Sequence, residues 1–360
     1  ALGLRTDCSE DALTVFPVAA RDLKPMAPYD LVTAMRASFF VAGPILAKKG
    51  FAKVSLPGGC AIGARVVDIH LQGFEQMGAS VTVEHGFVLL KAPRLYGCDM
   101  TLPFPSVGAT ENLMMAATVA SGTTRIRNAA KEPEVRDLGQ FLIKMGADIT
   151  GLSTDTIRIV GQPTLRGGDC YAIMPDRIEA ATLLLAGMIT GGDVCVTPIN
   201  PADTTAILTC LRGSGALIDT TESSIRLRQP GPIGPASIQT APYPGFPTDS
   251  QAQLMAVLSL AQGDSCIQET IFEKRFMHVN ELQRMGACII TDANQARITG
   301  VPQLTGAAVR MTDLRAGAAL IIAGLAAKGT TVVHGLHHLA RGYDNLVAKL
   351  AQLGGDLNVV

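Results

Sequence analysis

Apolar and polar positions alternate along this chain in a pattern that returns about every seventy residues. Each period contains an amphipathic helical run, a glycine, a short β-rich run, a second helical run, a second glycine and two strands. The segment 147–161, ADITGLSTDTIRIVG, shows the strand–turn–strand pattern that closes one period. The pattern therefore predicts a repeated unit of the order αβαββ.

Two series of glycines keep this period independently. A glycine can end a helix in the left-handed conformation with little strain, so a glycine after a helical run predicts where that helix ends. The first series follows one helical run of each unit, at intervals of 66 to 72 residues: Gly50, Gly122, Gly192, Gly263 and Gly329. The second series follows the other run, at intervals of 68 to 71 residues: Gly78, Gly146, Gly215, Gly286 and Gly354. Two markers that keep one period over five copies establish an internal repeat.

The repeat predicts the domain organisation. Residues 1–17 have the pattern of the last two strands of a further unit, so we expect a six-unit plan with an incomplete first unit. We place a first domain, which carries the loop around Cys60, at 1–173 and a second domain at 174–348. Residues 349–360 are predicted to be a C-terminal strand region that returns towards the domain junction. The fold class is α/β, with two domains built from βαβαββ-type units.

The composition argues against several classes of protein. Of the 360 residues, 48% are hydrophobic and 17% are charged, and the formal net charge is -1. This balance disfavours a nucleic-acid-binding protein with a basic face, and it disfavours disorder. The longest apolar stretches, such as Ala316–Ala327, have 12 residues, whereas a membrane span needs roughly 20. Charged residues interrupt the first segment, so no signal peptide is predicted and we expect a cytoplasmic protein.

The eight cysteines lie singly, without a CxxC pair or a Cys/His cluster at metal-ligand spacing. We therefore expect reduced thiols and no metal or cofactor site. Only Cys60 departs from an apolar context, since it lies among small and turn residues in the segment 56–68, LPGGCAIGARVVD. Arg65 and a nearby helix start would favour a reactive thiolate at Cys60. The bare pattern, however, favours a small residue in a turn.

Arginines occupy equivalent places in several of the repeated units. Near the start of a unit's first helix lie Arg36, Arg315 and, beside the equivalent position, Arg177; near the start of its second helix lie Arg65, Arg136, Arg275 and Arg341. A helix N-terminus is already electropositive, so an arginine there does not stabilise the helix and instead predicts an anion site. Ordinary surface arginines remain the alternative for any one of them.

Asp249 lies in the segment 246–253, FPTDSQAQ, directly before another predicted helix. It is a candidate functional carboxylate. Aspartate is also a preferred N-cap residue, and capping alone would explain it. The residues themselves leave both interpretations open.

Nine segments along the chain form a recognisable pattern: PYDLVTAMRAS (28–38), SLPGGCAIGARVVDIHL (55–71), SVGAT (106–110), NAAKEPEV (128–135), PDRIE (175–179), FPTDSQAQ (246–253), ETIFEKRFMHVNEL (269–282), TDLRA (312–316) and ARGYDNL (340–346). In this order they closely resemble the UDP-N-acetylglucosamine 1-carboxyvinyltransferases, from about Tyr29 to the C-terminus. The loop around Cys60 is the specific part of the resemblance. The sister family, 5-enolpyruvylshikimate-3-phosphate synthase, shares the six-unit fold but lacks this PGGC loop.

The resemblance implies two three-unit domains that form an inside-out α/β barrel and close over the substrates. It also implies an activity, the transfer of the enolpyruvyl group of phosphoenolpyruvate to the 3′-hydroxyl of UDP-N-acetylglucosamine with release of phosphate. This is the first committed step of peptidoglycan precursor synthesis. The expected partners are these two small molecules. No cofactor is implied, because arginines and helix ends can hold the phosphate.

The resemblance assigns site residues position by position. Cys60 matches the cysteine that protonates the phosphoenolpyruvate methylene and is the target of the epoxide inhibitor fosfomycin. Asp249 matches a carboxylate near the sugar 3′-hydroxyl. Arg65, Arg315 and Arg341 match arginines that bind phosphoenolpyruvate, and we expect the latter two to face a solvated cleft. The positions implied at the UDP-sugar site are Arg36, Arg65, Val66, Val67, Asp68, Ile69, Phe104, Pro105, Ser106, Val107, Asp249, Ile271 and Arg275.

Two features depart from the family pattern. The family has a Lys-Asn pair near its N-terminus that contacts phosphoenolpyruvate, and nothing before Arg36 replaces it, Lys24 included. Phe104-Pro105 stands where a basic residue often helps to bind the uridine diphosphate. The alternative hypothesis is therefore a catalytically impaired or non-catalytic paralogue that lacks the Lys-Asn segment. A third hypothesis is a transferase that acts on another hydroxyl acceptor.

Overall fold

The structure is a computed structural model of the chain, and it describes residues 2–9, 12–16, 18–56, 67–167 and 170–359. The side chains of residues 20, 33, 34 and 36 are not described. The chain divides into two compact units, of which the first runs to Ile173 and the second begins at Met174. Each unit has its own hydrophobic core.

The first unit alternates short strands and helices. It also has 3₁₀ turns at Ala20–Asp22 and Arg36–Val41. Its elements in chain order are β1 (Arg5–Cys8), β2 (Leu13–Phe16), β3 (Met26–Ala27), α1 (Tyr29–Ala34), α2 (Ala42–Lys49), β4 (Phe51–Ser55), α3 (Asp68–Gln76), β5 (Ser80–Glu84), β6 (Phe87–Lys91), β7 (Asp99–Thr101), α4 (Val107–Ala117), β8 (Thr123–Arg127), α5 (Pro133–Lys144), β9 (Asp148–Thr150) and β10 (Thr156–Val160).

The second unit continues the same alternation, with 3₁₀ turns at Pro201–Thr204, Thr248–Ser250 and Leu336–Arg341. Its elements are α6 (Arg177–Ile189), β11 (Asp193–Val196), α7 (Thr205–Gly213), β12 (Leu217–Thr220), β13 (Ile225–Arg228), β14 (Ser237–Gln239), α8 (Gln251–Leu258), β15 (Asp264–Gln268), α9 (Val279–Arg284), β16 (Cys288–Asp292), β17 (Gln295–Thr299), β18 (Ala308–Arg310), α10 (Leu314–Ala326), β19 (Val332–His334) and α11 (Leu346–Gln352).

The sheets repeat one topology. Three four-stranded sheets have the orders β3-β4-β6-β5, β7-β8-β10-β9 and β14-β15-β17-β16. In each of them the first pair is parallel and the other pairs are antiparallel. The parallel pair requires a crossover, which a helix provides, whereas the last two strands form a hairpin. The predicted βαβαββ repeat is therefore confirmed, and the sheets β11-β13-β12 and β18-β19 contain parts of the same plan.

Glycines end helices much as the period predicts. Gly50 ends α2 with φ 68, and its N–H donates to Leu46 O at 2.8 Å. In the third copy the prediction is one residue off, because Gly191 rather than Gly192 takes the positive φ, at 66. Gly192 N instead donates to Gly187 O at 2.8 Å. Gly191 thus adopts the left-handed conformation, and the amide of the next residue, Gly192, makes the last hydrogen bond to the helix.

The central helices of the second unit are buried on almost all sides. Every residue of α8 is buried, including the polar Gln251 and Gln253, and α10 is buried from Ala316 to Ala323. α8 packs against both α6 and α10. This packing brings the polar residues at the first turns of α6, α8 and α10 into one region.

The C-terminal residues differ from the prediction. Residues Leu346–Gln352 form α11, with Leu346 and Leu350 buried one turn apart. Gly354, at φ 95, and Gly355 end this helix, and Gly355 N donates to Leu350 O at 3.0 Å. Residues 353–359 form no strand. The prediction of a strand region at 349–360 is therefore wrong for the part of that range that the structure describes.

Candidate active site

The carboxylate of Asp249 lies between two arginines of the second unit. Arg275 Nη2 donates to Asp249 Oδ1 at 2.9 Å, and Arg315 Nη2 donates to Oδ2 at 3.3 Å. The two guanidinium groups are buried, with side chains 3% and 14% exposed, whereas the Asp249 side chain is 40% exposed. One carboxylate thus balances two buried positive charges while staying accessible from solvent.

Asp249 does not cap a helix. It lies in the 3₁₀ turn Thr248–Ser250, whose N-cap is Pro247, and α8 follows with Ser250 as N-cap. Neither helix start has a side-chain cap hydrogen bond. Asp313 provides the contrast, since its carboxylate caps α10 by accepting from Arg315 N at 2.9 Å and from Ala316 N. The capping interpretation of Asp249 is therefore wrong, and its charge is committed to arginines.

Arg315 is the most strongly perturbed cation of this cluster. Burial by itself would lower the pKa of Arg315, but the negative charge of Asp249 and the neighbouring Tyr343 outweigh burial and raise it. The guanidinium carbon lies 5.3 Å from the centroid of the Tyr343 ring. Among the described residues, Arg315 Nη1 is buried without a hydrogen-bond partner. A buried N–H donor without an acceptor lowers the stability of the folded protein. Arg315 Nη1 is therefore suited to donate to an anionic oxygen of a ligand.

A buried polar network holds the backbone of Asp249. Gln253 Nε2 donates to Asp249 O at 2.9 Å and contacts Thr182 Oγ1 at 3.2 Å and Tyr343 OH at 3.1 Å. Thr182 Oγ1 and Tyr343 OH lie 2.9 Å apart. Because Thr182 belongs to α6 and Gln253 to α8, the network links these two helices to the Tyr343 ring, which lies beside Arg315. These contacts hold Gln253 Nε2, whereas Gln253 Oε1 is buried without a hydrogen-bond partner among the described residues.

Two arginines do not lie where the sequence places them. Arg275 was expected at a helix start but lies in turns four residues before α9 begins at Val279. Arg341 is the last residue of the 3₁₀ turn Leu336–Arg341, and α11 begins five residues later. The reason is local. α9 and α11 are only six and seven residues long, and irregular turns replace the first helical turns in which the two arginines were expected.

Arg341 is exposed, as expected, but the mostly buried Arg315 contradicts the expectation of a solvated side chain. Arg341 does act on a neighbour. Burial first, and then the charges of His337 and Arg341, lower the pKa of His338.

The first unit brings three of its candidate segments together. Ser106 caps α4 by accepting from Ala109 N at 3.3 Å, and Val67 is the buried N-cap residue of α3. A Cβ added at Gly108 would lie 2.9 Å from the ring of Phe40 and 3.5 Å from His70 Cε1. The 3₁₀ turn that begins at Arg36 therefore meets the first turns of α3 and α4, where Asp68, Ile69 and Val107 lie. Phe104, just before α4, is 41% exposed, and Pro105 is half-buried.

Several candidates lie outside the described part of the chain. These are Cys60, Arg65 and Val66. Ile271 lies in the second unit, half-buried, and its N–H donates to Glu269 Oε1 at 2.8 Å. In the described ranges no group of three His, Cys, Asp or Glu side chains could hold a metal ion, and no helix is long and apolar enough to cross a membrane.

Comparisons with known proteins show the family of the chain. The family described as EPSP synthase (3-phosphoshikimate 1-carboxyvinyltransferase) matches residues 1–350. A UDP-N-acetylglucosamine 1-carboxyvinyltransferase 1 from Caldanaerobacter subterraneus subsp. tengcongensis is 51% identical over 337 residues, which cover 93% of this chain and 81% of the relative. The chain belongs to the UDP-N-acetylglucosamine 1-carboxyvinyltransferases, within the EPSP synthase family.

Further relatives agree with this family. The UDP-N-acetylglucosamine 1-carboxyvinyltransferase of Solidesulfovibrio magneticus is 49% identical and covers 99% of this chain and 85% of its own length. The solved enolpyruvyl transferase NikO from Streptomyces tendae superposes with a TM-score of 0.87 at 27% identity, over 99% of this chain and 85% of that one. An EPSP synthase from Acinetobacter baumannii, at 19% identity and a TM-score of 0.70, covers 98% and 85% and shows the shared fold.

Sequence reasoning missed four residues that surround Asp249 and Arg315 in this carboxyvinyltransferase. Gln253 and Glu269 are polar residues buried in the second unit, and Tyr343 and Asp313 flank Arg315. Asp313 had a usable signal, since it precedes an apolar helical run as an N-cap residue does. The other three cannot be identified from local patterns alone, because each also has a partner that is distant in sequence, such as Thr182 for Gln253 and Thr240 for Glu269.

Proposed function

We propose that this chain transfers the enolpyruvyl group of phosphoenolpyruvate to the 3′-hydroxyl of UDP-N-acetylglucosamine and releases phosphate. The observation that carries the proposal is the accessible Asp249 carboxylate between the buried guanidinium groups of Arg275 and Arg315. This places a proton acceptor beside fixed positive charge, as the addition of a hydroxyl to an anionic enol requires. Identities of about 50% to carboxyvinyltransferases support the assignment.

The reaction proceeds by addition and elimination. The 3′-hydroxyl oxygen forms a bond to C2 of phosphoenolpyruvate, the hydroxyl proton passes to a base and C3 receives a proton from an acid. Loss of phosphate from C2 and of one proton from C3 then restores the double bond. We assign Asp249 as the acceptor of the hydroxyl proton and Cys60 as the donor to C3. No redox step occurs, so the residues need to supply only proton transfer and charge stabilisation.

The arginines stabilise the anionic substrate. Arg315 presents its buried Nη1 donor, which suits a phosphate or carboxylate oxygen. Arg341 and Arg65 complete the phosphoenolpyruvate contacts in our proposal, and Arg275 holds Asp249 in place. We propose that the nucleotide sugar is bound by Arg36, Arg65, Val66, Val67, Asp68, Ile69, Phe104, Pro105, Ser106, Val107 and Ile271.

The product is the enolpyruvyl ether of a nucleotide sugar, which is a precursor of peptidoglycan. We place the reaction in the cytoplasm, where the sequence predicts this chain to lie. No nucleic acid takes part in the proposed reaction.

The experiment is a phosphate-release assay on the purified chain. With phosphoenolpyruvate and UDP-N-acetylglucosamine together we expect phosphate release, and with either alone we expect none. Shikimate 3-phosphate serves as the matched acceptor control, because the family description also covers 3-phosphoshikimate transferases. Release with shikimate 3-phosphate but not with the nucleotide sugar would reject the proposed acceptor.

A further inference from the structure

Glu269 is a buried carboxylate at the end of β15. Its exposure is 2%, although glutamate is rarely buried without dedicated partners. β15 ends at Gln268, so the chain leaves the sheet at Glu269, whose N–H still donates to Asn294 O at 2.8 Å. The acid therefore lies where the segment that leads to Arg275 begins.

Four donors saturate this carboxylate. Its Oε1 accepts from Thr240 Oγ1 at 2.9 Å, from Ile271 N at 2.8 Å and from Phe272 N at 3.1 Å. Its Oε2 accepts from Thr248 Oγ1 at 2.9 Å. All four donors are uncharged, so the carboxylate binds the ends of loops rather than a countercharge. An ionised carboxylate is an acceptor at both oxygens, which is why one side chain can satisfy all four groups.

These contacts join two segments that meet again at Asp249. Thr248 begins the 3₁₀ turn that carries Asp249, and Phe272 lies in the segment that carries Arg275. The Arg275 guanidinium carbon lies 5.4 Å from the centroid of the Phe272 ring, and its Nη2 donates to Asp249 at 2.9 Å. Glu269 binds one end of each segment, and the Arg275–Asp249 ion pair joins their other ends. The two segments are therefore linked to each other at both ends.

We propose that Glu269 is a positioning residue of the transferase, which sets the location of Asp249 and of the segment from Ile271 to Arg275. The proposal rests on the proposed function, since it takes Asp249 and Ile271 as substrate-binding positions. Both segments lie outside the sheets and the long helices, so the hydrogen bonds of regular secondary structure do not fix their backbones. The Glu269 carboxylate provides hydrogen bonds in their place. Glu269 itself need not touch a substrate.

Two variants test this role. Glu269→Ala removes all four acceptor contacts and should lower kcat and raise the KM for UDP-N-acetylglucosamine, because a misplacement of about 1 Å can cost on the order of 100-fold in rate. Glu269→Gln keeps an acceptor oxygen for the two amides, and its NH₂ group can donate to the Thr248 hydroxyl. We therefore expect the glutamine variant to retain most of the wild-type kcat.

Leu227→Ala is the control for general destabilisation, since Leu227 is a fully buried residue of β13 without a polar contact to the site. It should lower the melting temperature and leave both kinetic constants unchanged. If Glu269→Ala lowers the melting temperature by a similar amount and likewise leaves kcat and KM unchanged, Glu269 is merely structural and the inference is overturned.

A second readout does not depend on activity. Hydrogen exchange at the Ile271 and Phe272 amides should become faster in Glu269→Ala and stay slow in Glu269→Gln, because these amides donate to Glu269. Unchanged exchange in the alanine variant would overturn the positioning role. A wild-type chain without phosphate release would reject the proposed function, whereas the exchange result would still decide whether Glu269 orders the two segments.

Discussion

Arg275 Nη2 lies 2.9 Å from Asp249 Oδ1, and the arginine is almost completely buried while the carboxylate is not. The arrangement holds the carboxylate in one orientation and leaves part of it accessible. Arg315, which contacts the other oxygen at 3.3 Å, adds a second fixed charge. The carboxylate is therefore held by two ion pairs rather than by helix capping.

Asp249→Asn should abolish most of the activity. The amide keeps the size of the side chain but cannot accept a proton, so we expect kcat for phosphate release to fall about 100-fold or more, the usual contribution of a general base. Asp193→Asn is the matched control, since Asp193 also accepts from an arginine, Arg226, at 2.7 Å but on an exposed sheet surface. Equal activity of Asp249→Asn and wild type would contradict the assigned role.

Arg315→Ala and Arg341→Ala should each weaken phosphoenolpyruvate binding by about 1.5–3 kcal/mol, the range for charge-assisted hydrogen bonds. Calorimetric titration measures the binding and a thermal scan measures the stability. Arg315→Ala should also lower the melting temperature, because it removes a buried partner of Asp249, whereas the exposed Arg341 should not. Arg226→Ala, which removes an exposed arginine, is the control. Unchanged binding in both site variants would show that neither arginine contacts the substrate.

Cys60 should react first among the eight thiols with fosfomycin or iodoacetamide. Two competitors are suppressed, because burial raises the pKa of Cys210 to about 11, and burial together with the charge of Asp99 raises the pKa of Cys98. Peptide mapping after a short exposure at pH 7.5 gives the order of labelling, and Cys210 should react only as the pH approaches about 11. The exposed Cys8, Cys170, Cys195 and Cys288 are internal controls. Faster labelling of any of them would assign the reactive thiol elsewhere.

Glu111 should make the stability depend on pH. Burial, followed by the charges of Glu134 and Glu132, raises the pKa of Glu111 from 4.5 to about 7. The folded chain then binds a proton that the unfolded chain has lost, so stability falls as the pH rises from about 4.5 to 7. Glu111→Gln mimics the protonated acid and should remove this loss, which amounts to about 2–3 kcal/mol at pH 8.

Urea unfolding of wild type and Glu111→Gln at pH 4.5 and pH 8 measures the effect. The variant should be the more stable protein at pH 8, with little difference at pH 4.5. Glu75→Gln, an exposed change in the same unit, is the control and should not alter the pH dependence. Parallel curves for wild type and Glu111→Gln would show that Glu111 does not bind the extra proton.

The sequence by itself determined the repeat, the fold class and the family. Helix ends at residues such as Gly50 are local, since backbone dihedral preferences decide them, and a periodic local signal repeated five times predicts an architecture. Asp249 and Arg315 were also identified as candidates from the sequence, through their position before helices and the family motifs. The boundaries of short elements were less predictable, as Gly192 and the C-terminal residues show.

Only the tertiary structure decided what these candidates do. Asp249 is separated by 26 residues from Arg275 and by 66 from Arg315, so their ion pairs exist only because α8, α10 and the turns before α9 pack in one core. Burial, which sets the pKa of Arg315 and leaves its Nη1 unpaired among the described residues, is likewise a property of that packing. Glu269 carried no sequence signal, since two of its donors, Thr240 and Thr248, lie 29 and 21 residues before it. Local sequence patterns determine backbone dihedral angles and the apolar faces of helices and strands. The partners of a buried polar group depend instead on chain segments that only the folded core brings together.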